Sequence, residues 1–483
     1  MNCPVATMMT AIRKVQIPSQ LPPRPKGHRF LGILPGKRSW KLYFEEALKD
    51  VGNIAYCKYV GIPGCLVAHP DLIADVLVVN AQGYTGSNML QRLLGDGLAT
   101  SEGELWRHQR NLLLPLFSRE RLPGYGPIIT RHIDRLMSGW QSAEVHDIYR
   151  DMMALTLNVA AESFLGIQLD GRREILLENL NIVLDEFIVL ANQCFLLPYW
   201  VPTRSHRAIR RAVKTIRAMV DDIVRDRREE LAHGATGKTD LLTSLLEGQR
   251  SGAPISDDLI CDEAVTFLLG GHETTAIGLA WVWHCLTLYP DVEQRLAETL
   301  DTELKGRPVR FEDLPRLTYL EQVVKESLRL FPPAWYATRR TERDVELGGY
   351  RVPKGRTVLM NIWAVHHDPR FYPEPEQFRP ERWTAQFTKG LHKFAYLPFG
   401  IGARRCIGAS FAEAETMLTV ASIVQRFHVS AVPGTTVTPV AATTLRPGEG
   451  GVPVILRPRI VQPLPMLTTA DWLLSKSRAV ATA

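Results

Sequence analysis

Between about Asp71 and Leu330 the apolar residues recur mostly at three- and four-residue intervals, which predicts a long succession of helices. Pro115, Pro123, Pro198 and Pro290 break the run and mark expected helix boundaries. Strand signals lie at the two ends. Ile54–Tyr59 and Cys65–His69 flank Gly61-Ile62-Pro63-Gly64, a strand–turn–strand pattern. Further strands are expected at Val345–Val352 and Thr357–Ile362. A proline-rich meander, Asp368 to Trp383, leads to a glycine-rich loop, a helix over Ala409–Gln425 and short strands to Arg457. The segment Ile17–Pro35 is rich in proline and basic residues and reads as an extended arm over the surface. The fold class is mainly α with minor β sheets.

Two helices depart from the ordinary. Arg204 to Val224 puts Ile209, Val213, Ile216, Val220 and Val224 on one face and Arg207, Arg210, Arg211, Lys214 and Arg217 on the rest. Such a helix can lie on an anionic membrane surface; the plainer reading is a solvated helix covering a binding site. The second runs from about Asp258 to Tyr289. Its middle, Gly270-Gly271-His272-Glu273-Thr274-Thr275, places two glycines and two β-branched residues where helix propensity favours none of them. Local conflict of that kind is expected at functional sites. Gly271 would leave room for a ligand, and Thr274 could bond back to a carbonyl and open a groove.

Composition narrows the class. In 483 residues with 45% apolar content there is no linker, repeat or low-complexity block. Lys plus Arg exceed Asp plus Glu by 57 − 51 = 6, too mild a surplus for nucleic acid but suited to an acidic protein partner. Seven scattered cysteines include no close pair, which argues against disulfide frameworks, zinc sites and iron–sulfur clusters. Six of them, Cys3, Cys57, Cys65, Cys194, Cys261 and Cys285, read as buried thiols in a reducing compartment. Met1–Val15 lacks the apolar core of a signal peptide, and no run of 18 apolar residues exists to form a transmembrane anchor. The expected location is cytoplasmic.

The seventh, Cys406, is different. It lies in Phe399-Gly400-Ile401-Gly402-Ala403-Arg404-Arg405-Cys406-Ile407-Gly408, where glycines permit a loop to press flat against a planar ligand. Adjacent arginines favour the thiolate, the form that ligates metal, and one thiolate facing a macrocycle describes haem–thiolate ligation. The run matches F-x-x-G-x-R-x-C-x-G and resembles the haem-binding loop of the cytochrome P-450 monooxygenases. Three more stretches resemble that family in the same order. Trp106 and Arg110 match W-x-x-x-R; Gly270–Thr275 matches [AG]-G-x-[DE]-T-T; and Glu326 with Arg329, followed by Pro380-Glu381-Arg382-Trp383, matches E-x-x-R with its P-E-R-W arginine. The resemblance spans about Pro35 to Arg459. It implies an N-terminal arm over 1–35, a single-domain cytochrome P-450 fold over 36–459 and a tail over 460–483.

By that resemblance Cys406 is the axial ligand of haem b, with Phe399 and Gly408 shaping its loop. Trp106, Arg110, Arg339 and Arg404 would reach the haem propionates, although Arg340 is close enough to compete with Arg339. Glu326, Arg329 and Arg382 would form a buried triad behind the Cys406 loop. Glu273 and Thr274 would be catalytic. Dioxygen must receive two protons before its O–O bond breaks heterolytically, and an acid–alcohol pair can relay them through water. His272 holds the variable position of the motif and is not expected to ligate iron. Stretches around Gly83–Leu94, Phe187–Leu197, Ala264–Phe267, Ala334–Thr338 and Thr443–Leu445 are expected to line an apolar substrate pocket. The implied activity is insertion of one atom of O2 into a hydrophobic small molecule, such as a terpenoid, a polyketide or a fatty acyl chain. The 77 residues after Cys406 are too few for a reductase, so electrons are expected from a separate ferredoxin or flavodoxin served by an NAD(P)H reductase. A haem–thiolate isomerase or dehydratase, and a non-enzymatic haem protein, are the alternatives; the intact Glu273–Thr274 pair favours the monooxygenase.

Overall fold

The computed structural model describes residues 20–25, 48–49, 51–59, 62–86, 91–141, 144–169, 171–191, 201–234 and 240–459. Seven helices build the body that concerns function: α1 (Gly103–Leu113), α2 (Ile148–Leu165), α3 (Arg173–Ala191), α4 (Arg204–Ala232), α5 (Asp257–Leu288), α6 (Thr318–Leu330) and α7 (Ala409–Arg426). Helix α5 is the spine. Ser256 caps its start by accepting the Leu259 N–H at 3.1 Å, and acidic Asp257 and Asp258 fill its first turn, where the helix dipole favours negative charge. It is apolar all round, as a helix enclosed by others must be. Its most extensive neighbour is α2. A Cβ on Gly271 would fall 2.9 Å from the Phe164 ring and 3.2 Å from Ala160, so glycine there lets α5 approach α2. Gly271 thus serves helix packing, and the room for a ligand lies at Gly270, where a Cβ would meet nothing within 4 Å.

The main sheet joins β1 (Ile54–Tyr59), β2 (Ile62–Val67), β3 (Tyr84–Thr85), β5 (Tyr336–Thr341) and β8 (Thr357–Asn361) in the order β1-β2-β8-β5-β3. The strand–turn–strand reading holds with a shifted turn. Ile62-Pro63-Gly64 belongs to β2, in register with Tyr59, Lys58 and Cys57. Gly64 is there because β2 runs parallel to β8, and a Cβ would stand 2.3 Å from the Thr357 carbonyl oxygen. The strand expected at Val345–Val352 is a hairpin, β6 (Val345–Leu347) and β7 (Tyr350–Val352), turned by Gly348 and Gly349 at φ 59° and 81°. A third sheet orders β4 (Val145–Asp147), β12 (Pro453–Pro458) and β9 (Phe427–Ala431), and β10 (Pro439–Ala441) pairs with β11 (Leu445–Pro447). The chain is mainly α with minor sheets, as its patterning predicts.

Of the proline-rich arm, residues 20–25 are described; Gln20 and Pro23 accept hydrogen bonds from Arg351 N and Tyr56 N, both at 2.8 Å, which lays them along the sheets. The rest of the arm, the tail over 460–483, Pro198, and parts of the expected pocket lining (87–90 and 192–197) lie outside the described residues. Helix α4 continues to Ala232, buries Ile209, Ile216, Val220 and Val224 against α3 and α5, and turns Arg207, Arg211 and Lys214 outward, while Arg227 near its end is buried and donates to Asp240. Among the described residues no helix is long and apolar enough to cross a membrane.

Candidate active site

The Cys406 loop is braced from behind by a buried ionic network. Glu326 and Arg329, one helical turn apart on α6, are both fully buried. Arg329 donates Nε and Nη2 to the two Glu326 oxygens at 3.0 and 2.9 Å. Arg382 Nε and Trp383 Nε1 add bonds to the same carboxylate at 2.8 and 2.9 Å. The remaining guanidinium hydrogens find carbonyls, Arg329 at His366 and Pro375, Arg382 at Pro373. Every charge in the triad is therefore hydrogen-bonded, and removing one partner would strand the others at about 3–5 kcal/mol. Sequence reasoning missed His366. Its Nε2 accepts the Leu397 N–H at 2.8 Å, so Nδ1 carries the proton toward the Arg329 carbonyl at 3.2 Å. Burial holds its pKa at about 3, which keeps it neutral in this bridge between α6 and the loop.

Within the loop the Cys406 N–H donates to the Phe399 carbonyl at 3.0 Å, closing the turn that presents the thiol. Gly400 and Gly402 take φ 69° and 74°, which L side chains rarely adopt. Gly402 does not face the site; a Cβ there would lie 2.4 Å from the Leu77 carbonyl oxygen. Gly408 begins α7, with the Phe117 ring 3.6 Å from where its Cβ would be. Phe117 in turn stacks on Phe267 of α5, centroids 5.9 Å apart, so one aromatic pair joins the thiol loop to the spine helix.

Cys406 is unlike the other described thiols. Burial pushes Cys57, Cys261 and Cys285 up to about 12, which leaves them inert. Cys406 is exposed; surrounding protein raises its pKa, but the Gly408 N–H, Arg405 and Arg110 all pull it down. Arg404 takes no part in that, correcting the expectation that both neighbouring arginines act on the thiol. Its Nη2 donates to the Ser101 carbonyl at 2.8 Å and to Glu102, while its guanidinium lies 4.2 Å over the Trp106 ring.

The expected propionate ligands do converge. Arg110 Nη2 donates to the Arg405 carbonyl at 2.9 Å and its guanidinium sits 5.7 Å from the Trp106 centroid. Strand alternation in β5 chooses between the two candidate arginines. Arg339 faces Arg404 and Glu102, and Arg340 lies on the opposite side near Gly355. Burial lowers the pKa of Arg339, Arg404 and Arg110 alike; Arg404 adds to the effect at Arg339 and Arg110 adds to it at Arg404. Cations crowded in this way are short of anions. A lone exposed thiol beside an arginine cluster is a donor set that fits a thiolate-ligated haem with two carboxylates.

On α5, the helix is buried around its middle except at Gly270, Gly271 and Thr274; Gly270 and Thr274 are exposed on one side. Thr274 Oγ1 donates to the Gly270 carbonyl at 3.0 Å, the back-bond expected from sequence. Glu273 points elsewhere. It is buried, and Oε1 accepts the hydroxyl of Thr444 at 2.9 Å. Burial raises its pKa, against the Thr444 bond and the charge of Arg446, which itself pairs with Asp185. The sequence places Thr444 only in the expected pocket lining and does not reveal it as the partner of this acid. His272 is fully buried against α2, its carbonyl accepting Thr156 Oγ1 at 3.0 Å and its ring lowered to about 4 by burial.

Comparison with known proteins agrees with this geometry. The family model for cytochrome P450 matches residues 22–452. Cyclooctat-9-en-7-ol 5-monooxygenase of Streptomyces melanosporofaciens is 37% identical over 86% of this chain and 91% of its own length. Pentalenene oxygenase of Streptomyces avermitilis is 29% identical over 84% and 90%. The crystal structure of the cytochrome P450DA heme domain superposes with a TM-score of 0.81 at 25% identity, covering 91% of this chain and 98% of that one. A thiol loop, an arginine cluster and a spine helix with an exposed glycine and threonine at its middle in one such fold have one common meaning: the chain belongs to the cytochrome P450 family, whose members bind haem through a cysteine thiolate, and it is a monooxygenase that uses O2, a hydrophobic substrate and a redox partner.

Proposed function

We propose that this monooxygenase oxygenates a cyclic terpenoid, with Cys406 as the thiolate that would hold haem and residues 36–459 as its haem domain between the arm 1–35 and the tail 460–483. The observation that carries the substrate class is the length of the likeness. Two curated relatives, cyclooctat-9-en-7-ol 5-monooxygenase and cyclooctatin synthase, are 37% and 33% identical across nearly their whole chains. In the expected lining Ala264, Phe267 and Leu445 are apolar, beside Thr266, Thr338 and Thr444. An apolar pocket with few polar groups selects by shape.

Bound haem supplies the activation of dioxygen and the insertion chemistry. Around it, Trp106, Arg110, Arg339 and Arg404 hold the two propionates, and charge-assisted arginine–carboxylate bonds are the strong kind. Phe399 and Gly408 fix the turn that aims the Cys406 thiolate. Thr274 presents its hydroxyl on the exposed side of α5, with its own proton engaged by the Gly270 carbonyl, so its oxygen is free to accept a bond. Glu273, whose pKa burial raises, is the proton source. Because its carboxyl is turned to Thr444, the proton reaches Thr274 through water or by rotation of the side chain. The electron donor is a small acidic ferredoxin or flavodoxin, and the cytoplasm suits a chain whose described thiols, Cys57, Cys65, Cys261, Cys285 and Cys406, stand unpaired.

Two measurements test this reading. Reduced protein with carbon monoxide should show the shifted Soret band of a thiolate ligand, and Cys406→Ser should lose it; retention of the band would move the ligand to another cysteine. Titration with cyclic terpene alkenes and alcohols should shift the Soret maximum of the oxidised protein and give products heavier by one oxygen. A response to fatty acids or macrolides alone would reject the terpenoid assignment.

A further inference from the structure

Glu102 stands immediately before α1, and its two carboxylate oxygens reach in different directions. Oε1 accepts the backbone N–H of Gly86, just past β3, at 2.8 Å. Oε2 accepts from Arg404 Nη2. A Cβ at residue 86 would lie 2.5 Å from Oε1, so a larger residue there would displace the Glu102 carboxylate. Glu102 is also the one acidic group that opposes the lowering of Arg339 and of Arg404; at Arg110 the opposing group is Cys406 itself. Three guanidiniums and one carboxylate leave a cluster charge of 3 − 1 = +2. The two propionates of haem b carry −2.

We propose that Glu102 is a positioning residue of the haem site, which holds Arg404 in place and sets the cluster's charge to balance the two propionates. The proposal rests on the haem-site reading above. The carboxylate fixes the guanidinium from one side while the Ser101 carbonyl and the Trp106 face fix it from others, so Arg404 keeps one orientation toward a propionate. Through Gly86 the same side chain pins the end of β3 to the start of α1. Taking away its charge leaves an unbalanced cation beside the haem. Surplus positive charge favours the reduced, more electron-rich state, so the reduction potential must rise.

Glu102→Gln is the direct test, because the amide oxygen can still accept from Gly86 while the negative charge is gone. In the haem-loaded protein its reduction potential should be higher than that of the parent. Glu104→Gln, which removes an exposed carboxylate from the same helix, should leave the potential near the parent value. An unchanged potential in Glu102→Gln, or a shift no larger than that of Glu104→Gln, overturns the proposal. If Glu102→Gln folds but does not retain haem, titration of the apoprotein with haem replaces the potential. Glu102→Asp, which keeps the charge, should then bind haem more tightly than Glu102→Gln; equal affinities overturn the proposal. Persistence of the thiolate band in Cys406→Ser would instead defeat the haem-site reading itself, so the two failures are distinguishable.

Discussion

Thr274 and Glu273 are neighbours in sequence that face different surroundings, and the proposed chemistry depends on that difference. The threonine hydroxyl sits on the exposed side of α5, back-bonded to Gly270; the carboxyl is buried against Thr444. Thr274→Ala should still bind substrate and accept electrons, yet release more peroxide and less product per NAD(P)H, because oxygen escapes before protons are delivered in order. Simultaneous assay of peroxide, product and NAD(P)H checks this, and unchanged coupling would remove Thr274 from the mechanism. Cys406, Thr274 and the Glu326–Arg329 pair could be singled out in the sequence because each lies in a short motif, on one loop or one helix face, that resembles the family's. Thr444, Glu102 and His366 were not assigned their roles. Thr444 meets Glu273 across 171 positions, Arg404 meets Glu102 across 302, and no local periodicity encodes such contacts.

Among the elements, α5 shows what patterning can and cannot give. Its length and its functional middle follow from the sequence, whereas the division of labour between Gly270 and Gly271 depends on where Phe164 and Ala160 of α2 arrive. The same holds for Gly64, which looks like a turn glycine until β8 is laid beside β2. Near the start of α5, Glu263 has no exposed surface; Oε2 accepts the Leu98 N–H at 3.0 Å and Oε1 has no partner. Burial, helped by the charge of Asp262, raises its pKa to about 7 from 4.5, against the pull of the Leu98 N–H. Its folded pKa is above the unfolded one, so the native state holds this proton more tightly. Stability from this group is full below about pH 4.5 and is lost as pH rises through about 7, by about 3 kcal/mol at most. Glu263→Gln keeps an acceptor for Leu98 and removes the titration. Relative to the parent it should gain stability at pH 8 and little at pH 5, read from urea midpoints at the two values; parallel shifts at both would refute the assignment.

For the molecule as a whole, the proposed docking side for the electron donor is the one that carries the Cys406 loop. Arg405 is exposed there, its backbone fixed by the bond from Arg110. Arg107, on the outer face of α1, is 66% exposed and pairs with Glu104, itself 97% exposed, an ion pair contributing under about 1 kcal/mol. Val78, 44% exposed, stands beside Gly402, and with the next residue Val79, 69% exposed, adds apolar surface to the same neighbourhood. A cationic surface with a small apolar centre suits an acidic partner, whose encounter is steered by charge and whose complex is held by desolvation. Steering of this kind weakens as the Debye length shrinks to about 8 Å at 0.15 M salt. The rate of the first electron transfer should therefore fall steeply with added salt, and Arg107→Glu should lower it again while substrate affinity, read from the Soret shift, stays the same. Arg405→Glu should slow transfer too, but it is the less clean probe, because the Arg405 guanidinium also lowers the pKa of Cys406. Comparing the two separates docking from ligand tuning: a docking effect disappears at high salt, whereas a change in the thiolate persists. A rate indifferent to salt and to Arg107→Glu would place the donor on another face.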